Sequence, residues 1–173
     1  MKSCMEIMLS RRSIKKYKPD MPKREDIDKI IEAGLAAASG RNMQASVIVA
    51  VTNKEIRDRL ARDNAAVMGA SADPFYGAPC VLVVLAEKSA HTYVYDGSLT
   101  LGNMMLASHE LGLGSCWIHR AREVMAKAEW QEWIKSLGLV GEYEGIGNLV
   151  VGYAEGDYPI EKERRGGRVV YVD

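Results

Sequence analysis

The 173-residue sequence lacks a net charge, since 23 Lys and Arg balance 23 Asp and Glu. A nucleic-acid binder usually spreads cations along a face, because affinity grows with each phosphate neutralised, so the composition argues against that class. Long hydrophobic runs are missing as well. The stretch APCVLVVLA (78–86) is among the longest, far below the roughly 20 residues that cross a bilayer. The first residues lack the apolar stretch of a signal peptide. No membrane partner is therefore expected, and a cytoplasmic location is. Cysteine is scarce. Cys4, Cys80 and Cys116 are odd in number and form no CxxC pair, which fits a reducing compartment and a structural role. The three histidines, His91, His109 and His119, show no HxxxH or HExxH spacing, so no metal site is expected. There is no GxGxxG, no GxxxxGK[ST] and no GxSxG. GLGSCW (112–117) only resembles a nucleophile turn, and Cys116 in an apolar strand reads as a small core residue. No carboxylate pair stands out as an acid–base couple.

The cations that are present are unevenly placed. RRSIKKYKPD (11–20) holds Arg11, Arg12, Lys15, Lys16 and Lys18, and four more (Lys162, Arg164, Arg165, Arg168) lie near the C-terminus. Between residues 19 and 161 there are 13 basic and 20 acidic residues. Two short basic clusters on an acidic body look like a local anion pocket, with a solvated charge run as the plain alternative. Arg11, Ser13 and Lys15 alternate, so on an extended segment they point to one side while Arg12 and Ile14 point to the other. An anion pocket without side-chain machinery suggests that a cofactor carries the chemistry.

At 47% hydrophobic and 27% charged, the chain is one ordinary globular domain spanning 1–173. Helices are expected over 22–38, with Ile27, Ile30, Ile31, Leu35 and Ala38 on one face, and over 54–69, with Ile56, Leu60 and Val67 in a stripe. Two more are expected over 95–113 and 122–138. Strands are expected over 46–52, 79–86, 115–118, 146–154 and 168–172. The helix 95–113 is apolar nearly all round and must be buried on every side, either centrally or against a two-fold partner. The polar tail after Tyr158 looks built to reach across a neighbour. Trp130 and Trp133 read as packing anchors.

RRSIKKY (11–17) resembles the opening signature of the FMN-dependent nitroreductase family, in its short single-domain members. AASGRNMQ (37–44), FYGAPCVLVV (75–84), DGSLTLGNMMLASHELGLGSCWI (96–118) and NLVVGYAEGD (148–157) with KER (162–164) resemble its later blocks, in order, over nearly the whole chain. The chain departs from the family's frequent wording at Ala45–Ser46, at His119–Arg120 and at Glu163–Gly166.

The resemblance implies an α+β fold with a mostly antiparallel central sheet flanked by helices, and an intertwined homodimer with two FMN molecules at the interface. Arg11, Arg12, Ser13 and Lys15 match positions that hold the FMN phosphate, ribityl chain and ring edge. Lys162 and Arg164 match a second basic pair on that phosphate. Ser39, Gly40, Asn42 and Gln44 match a turn that approaches the flavin from the other subunit. Trp117, Ile118, His119 and Arg120 match the segment whose backbone lies along the ring. Asn64, on a helical stripe, needs a partner, either the flavin's polar edge or a backbone group. His119 is either a proton donor in the substrate space or a surface imidazole; Phe75 and Tyr76 either wall that space or pack in the core. The implied activity takes a hydride from NADH or NADPH and passes it to a nitroaromatic, a quinone or a similar acceptor. Other flavin reactions on the same fold, such as dehalogenation or flavin fragmentation, and a non-catalytic flavin- or phosphate-binding module remain open.

Overall fold

The computed structural model describes residues 3–173. Its centre is a four-stranded antiparallel sheet, in the order β1 (Ser46–Val51), β2 (Cys80–Glu87), β4 (Tyr143–Gly152) and β3 (Gly114–Ile118). The six α-helices are α1 (Cys4–Ser10), α2 (Arg24–Leu35), α3 (Lys54–Met68), α4 (Tyr93–Glu110), α5 (Ala121–Met125) and α6 (Ala128–Ser136). This is the expected α+β architecture.

β2 explains the layering. Residues 80–86 are all fully buried, as the apolar run requires when both faces of a strand are covered. Val81, Val83 and Leu85 point into one core, with Leu60, Phe75 and Trp130. Cys80, Leu82 and Val84 point into the other, with Ile27, Ile30, Leu101 and Met104. The second core is thin at one point, because a Cβ on Gly34 would lie 2.6 Å from Met104 Cγ. Gly34 therefore lets α2 lie close on α4.

Several expectations need correction. Residues 122–138 form two helices, because Lys127 is extended (φ −68°, ψ 144°) and starts α6 afresh. That break lets Trp130 turn under α3, where its Nε1–H donates to Asp63 Oδ2 at 2.7 Å. Residues 168–172 form no strand; Val169, Val170, Tyr171 and Val172 are exposed and have no neighbouring strand to pair with. α2 stops at Leu35, which is itself exposed. β4 begins at Tyr143, three residues earlier than the apolar run suggests, with a register shift opposite Val84 and Leu85. α1 carries no apolar periodicity that would announce it; a reciprocal cap between Ser3 and Glu6 starts it. α4 is buried on the side of Leu101 and Met104, while Tyr95 and Leu99 stay 73% and 51% exposed in the single chain.

Trp130 is the anchor it reads as in sequence. It is fully buried, with Trp133 edge-on at 5.1 Å and the Arg59 guanidinium over its ring. Burial pushes the Asp63 carboxyl up, but the Trp130 N–H and the Lys127 ammonium outweigh it and hold the group below the usual carboxylate range. A depressed folded-state value means stability that is present above the unfolded value of about 4 and is lost as pH falls through the folded one. Asp63→Asn should therefore cost about 2 kcal/mol at pH 7 and much less near pH 3, read by urea unfolding. An equal cost at both pH values would show that the carboxylate charge does not matter.

Candidate functional site

The opening cations lie on an extended strip laid across the sheet's edge. Ile14 N–H donates to the Ser115 carbonyl, Lys18 N–H to Tyr153, and Glu155 N–H to Lys16. Ser13 bridges Ser115, and Tyr17 bridges Ala154. These bonds drive Ile14 and Tyr17 into the core, and the Tyr17 hydroxyl donates to the Ile14 carbonyl at 2.8 Å. Gly114 permits the close approach, since a Cβ there would meet Ile14 Cγ1 at 2.9 Å.

Arg11, Ser13 and Lys15 all lie near enough to the Cys116 thiol to act on it. Burial pushes that thiol up, against the pull of a Ser13 hydrogen bond and of the Lys15 and Arg11 charges. Arg11 Nη1 is buried without a hydrogen-bond partner. A buried guanidinium nitrogen left unpaired is costly, so the geometry is that of a cation held ready for an anion. Lys15 Nζ stands 5.9 Å from the Tyr76 ring centre. Arg12 is differently employed. Its Nη1 donates to the Leu9 and Arg11 carbonyls, and its Nη2 pairs with Glu161 at 2.9 Å. Arg12 thus ties the end of α1 to the tail, which brings Lys162 to within one residue of this anchor. Lys162 and Arg164 are themselves exposed.

The segment 117–120 adjoins the strip through β3. Ile118 is buried, and Trp117 lies across Gly147, where a Cβ would meet its Nε1 at 2.4 Å. Asn64 is fully buried and donates to the His119 carbonyl at 2.9 Å, while its Oδ1 has no partner. The backbone thus takes one side of this amide. His119 is exposed, and Arg120 pairs with Glu123 at 2.8 Å. Phe75 is fully buried; Tyr76 is half-buried beside Lys15. The loop that carries both is bonded through Asp73 to Phe75 N–H, Gly77 N–H and Arg57.

Ser39, Gly40, Asn42 and Gln44 form a self-bonded turn. Gln44 N–H donates to Ser39 Oγ, and Gln44 Nε2 donates to Asn42 Oδ1 at 3.0 Å. The turn is moored by Asp96, whose Oδ1 accepts from Gly40 N–H at 3.1 Å and whose Oδ2 accepts from the Thr92 hydroxyl. Asp96 and Thr92 escape sequence reasoning as positioning residues, although a lone carboxylate near the start of an apolar helix is a signal. The turn therefore sits at the N-terminal end of α4. The cationic strip sits at its C-terminal end, where Ser10 meets His109. Residues 96 and 109 are about 20 Å apart along a helix, so in one chain the two groups are not brought together.

Among the described residues the non-glycine residues at positive φ are Arg41, Asn42, Gln44, Tyr76 and Arg120. All fall in these segments, and such conformations persist where the surroundings enforce them. Buried Cys80 has its thiol pushed up to about 12 by burial and is structural; Cys4 is exposed.

Residues 8–71 and 62–153 match the model of the Nitroreductase family. The chain belongs to this family. It is 30% identical over 123 residues to an Archaeoglobus fulgidus protein provisionally named NADH dehydrogenase/NAD(P)H nitroreductase, covering 68% of each chain. It is 28% identical over 147 residues to the NADPH-flavin oxidoreductase of Vibrio harveyi, a match over 75% of this chain and 58% of that one. The fold superposes on a Bacteroides fragilis nitroreductase crystallised with bound FMN, at a TM-score of 0.88, 26% identity and full coverage of both chains.

The mooring of the nitroreductase turn is directly testable. A Cβ on Gly40 would lie 2.2 Å from Thr92 Oγ1. Gly40→Ala should destabilise the protein by about 1–3 kcal/mol in urea unfolding. Asp96→Ala should cost more than Asp96→Asn, because the amide retains an acceptor for Gly40 N–H. Equal costs for the two Asp96 variants would mean that the turn is held by other contacts.

Proposed function

We propose that this chain is an FMN-dependent NAD(P)H oxidoreductase that reduces nitroaromatics, quinones or similar acceptors by a ping-pong cycle, in the cytoplasm and as a homodimer. The observation that carries the reading is the buried Arg11 Nη1 without a hydrogen-bond partner, on the strip that also carries Ser13 and Lys15, in a chain of the nitroreductase family. The residues fit a phosphate monoester with a polar tether. Arg11 offers a planar fork to a dianion, and the Ser13 hydroxyl turns to donate. Lys15 stands further along the strip, where a positive charge stabilises negative charge on a ring edge. Lys162 and Arg164 begin one residue beyond the Glu161 anchor and complete the cation set. Asn64 keeps an unpaired Oδ1 for an N–H donor, and its other side fixes the His119 carbonyl.

Bound FMN supplies the redox chemistry, accepting a hydride from NADH or NADPH and delivering reducing equivalents to the acceptor. The chain's part is to bind the phosphate, to orient the ring along 117–120 and to leave one face open. The strained turn 39–44 is moored at Asp96 and the strip begins beside His109, about 20 Å apart along α4, which favours the turn's service to the partner's site. Exposed Tyr95 and Leu99 on α4, with Met5, Met8 and Leu9 on α1, offer an apolar surface for that partner.

The test is a visible spectrum of the purified protein, followed by steady-state oxidation of NADH and NADPH with and without a nitroaromatic or quinone. Flavin absorbance with acceptor-dependent turnover supports the reading. Flavin without turnover would make the chain a binding module, and flavin with turnover on haloaromatics alone would make it another flavin enzyme on this fold.

Arg11→Ala should weaken FMN by about ten- to a hundredfold and leave riboflavin, which lacks the phosphate, nearly unchanged. Fluorescence quenching titrations with both flavins read this. An equal loss for both would remove Arg11 from the phosphate. In a mixed dimer of one Arg11→Ala subunit and one Asn42→Ala subunit, one site should carry both lesions and the other neither. Two equally impaired sites would contradict the shared arrangement.

A further inference from the structure

A cavity of about 590 Å³ lies between α1, the last turn of α4 and the start of the tail. His109 stands in its wall with both ring nitrogens in contact. Nε2 is 2.8 Å from the Ser10 hydroxyl, and Nδ1 is 3.2 Å from the Tyr158 hydroxyl. The rings of His109 and Tyr158 stack at 5.7 Å.

The protons of this cluster can be counted. Arg12 N–H donates to the Tyr158 oxygen at 2.8 Å, and the Tyr158 hydroxyl donates to the Ser10 carbonyl at 3.1 Å. The Ser10 hydroxyl donates to the Glu6 carbonyl at 2.6 Å. A hydroxyl has one proton to give. When both hydroxyl protons go to these carbonyls, each hydroxyl can only accept from the imidazole. The full set of bonds therefore requires a proton on Nδ1 and on Nε2 together, which is the imidazolium. The surroundings favour that charge. His109 lies in the last turn of α4, where free carbonyls attract cations. The charged groups that line the cavity with it are Glu6 of α1, Arg12 and Glu161, and Glu110 follows it in the chain. Arg12 is the one cation among them, and it is already paired with Glu161.

We propose that protonated His109, together with Arg12, clasps the tail at Tyr158 and Glu161 and so seats Lys162 and Arg164 for a phosphate ligand. His109, Arg12 and Tyr158 are positioning residues in this role. The phosphate half rests on the function proposed above; the clasp itself does not. Because the closed clasp favours the protonated ring, it should strengthen as pH falls through the histidine range and weaken as pH rises through it.

The experiment measures tryptic cleavage after Lys162, Arg164 and Arg165 in the protein as purified. Native protein and Tyr158→Phe are compared in the same buffer, so that the pH dependence of the protease cancels. Tyr158→Phe should be cleaved about three- to tenfold faster than native at pH 6 and less than about twofold faster at pH 8. In a His109→Gln background the ratio should be the same at both pH values. A native-background ratio near one at pH 6, or one that does not change with pH, overturns the clasp. Added FMN and riboflavin test the second half. Tyr158→Phe should weaken FMN several-fold at pH 6 and leave riboflavin unchanged. If both flavins weaken equally, the tail does not serve the phosphate. If the cleavage pattern holds in a protein that binds neither flavin, the clasp stands and the flavin reading falls.

Discussion

Helix α4 is the constraint on which the rest depends. Its Leu101 and Met104 fill one core beneath the sheet, so neither of its ends is free to move. At one end Asp96 holds Gly40 and with it the strained turn. At the other, His109 meets Ser10 and Tyr158, at the point where α1, the cationic strip and the tail come together. A buried carboxylate near a helix N-terminus and a histidine at its C-terminus both match the helix dipole. One rigid rod thus sets the spacing between two half-sites. The two ends lie about 20 Å apart along the helix, a separation that accords with the proposal that each half serves a different molecule of ligand.

The cationic strip works by a different logic. It is too short to form a sheet strand, yet it borrows hydrogen bonds from the edge of β3 and the end of β4. Ile14 is then buried by the apolar core, and Tyr17, on the same parity as Lys15, is buried as well, so the alternation that sets Arg11, Ser13 and Lys15 apart from Ile14 runs only as far as Lys15. Arg12 does not join them. Two backbone oxygens and one carboxylate oxygen hold its guanidinium, which braces the tail. Lys16 is likewise paired, with Glu155. Five cations in eight residues therefore divide by pleat and by local partners, and a count of charge alone does not reveal the division.

The sheet and most helices are legible in the sequence because each has a period that burial imposes. β2 is a continuous apolar run because both its faces are covered, and α3 shows Leu60 and Asn64 on the stripe that faces the core. What escapes is non-local or lacks a period. The break at Lys127 depends on Asp63 waiting beneath Trp130. RVVYV has every residue preference of a strand but no edge to pair with in its own chain. The alternation that separates Arg11, Ser13 and Lys15 from Ile14 is readable, whereas the roles of Asp96, Tyr158 and His109 are set by partners 56, 146 and 99 residues away. Local pattern carries no trace of such pairings.

The apolar surface that the fold leaves in water has a pattern of its own. Met5, Met8 and Leu9 line the outside of α1, and Tyr95 and Leu99 line α4. Val169, Val170 and Val172 extend beyond them on a tail that has left the sheet at Ala154. Single exposed apolar residues are ordinary on any surface, but helix ridges and a β-prone tail exposed together on one chain are a liability. A second copy related by two-fold symmetry would cover the same ridges on both chains at once. It would also give each tail a surface to run along beyond its anchor at Tyr158. The clasp then has a reason to exist. A tail that ran along a second copy would need the point where it leaves its own chain held, and Arg12 and His109 meet Tyr158 and Glu161 at that point.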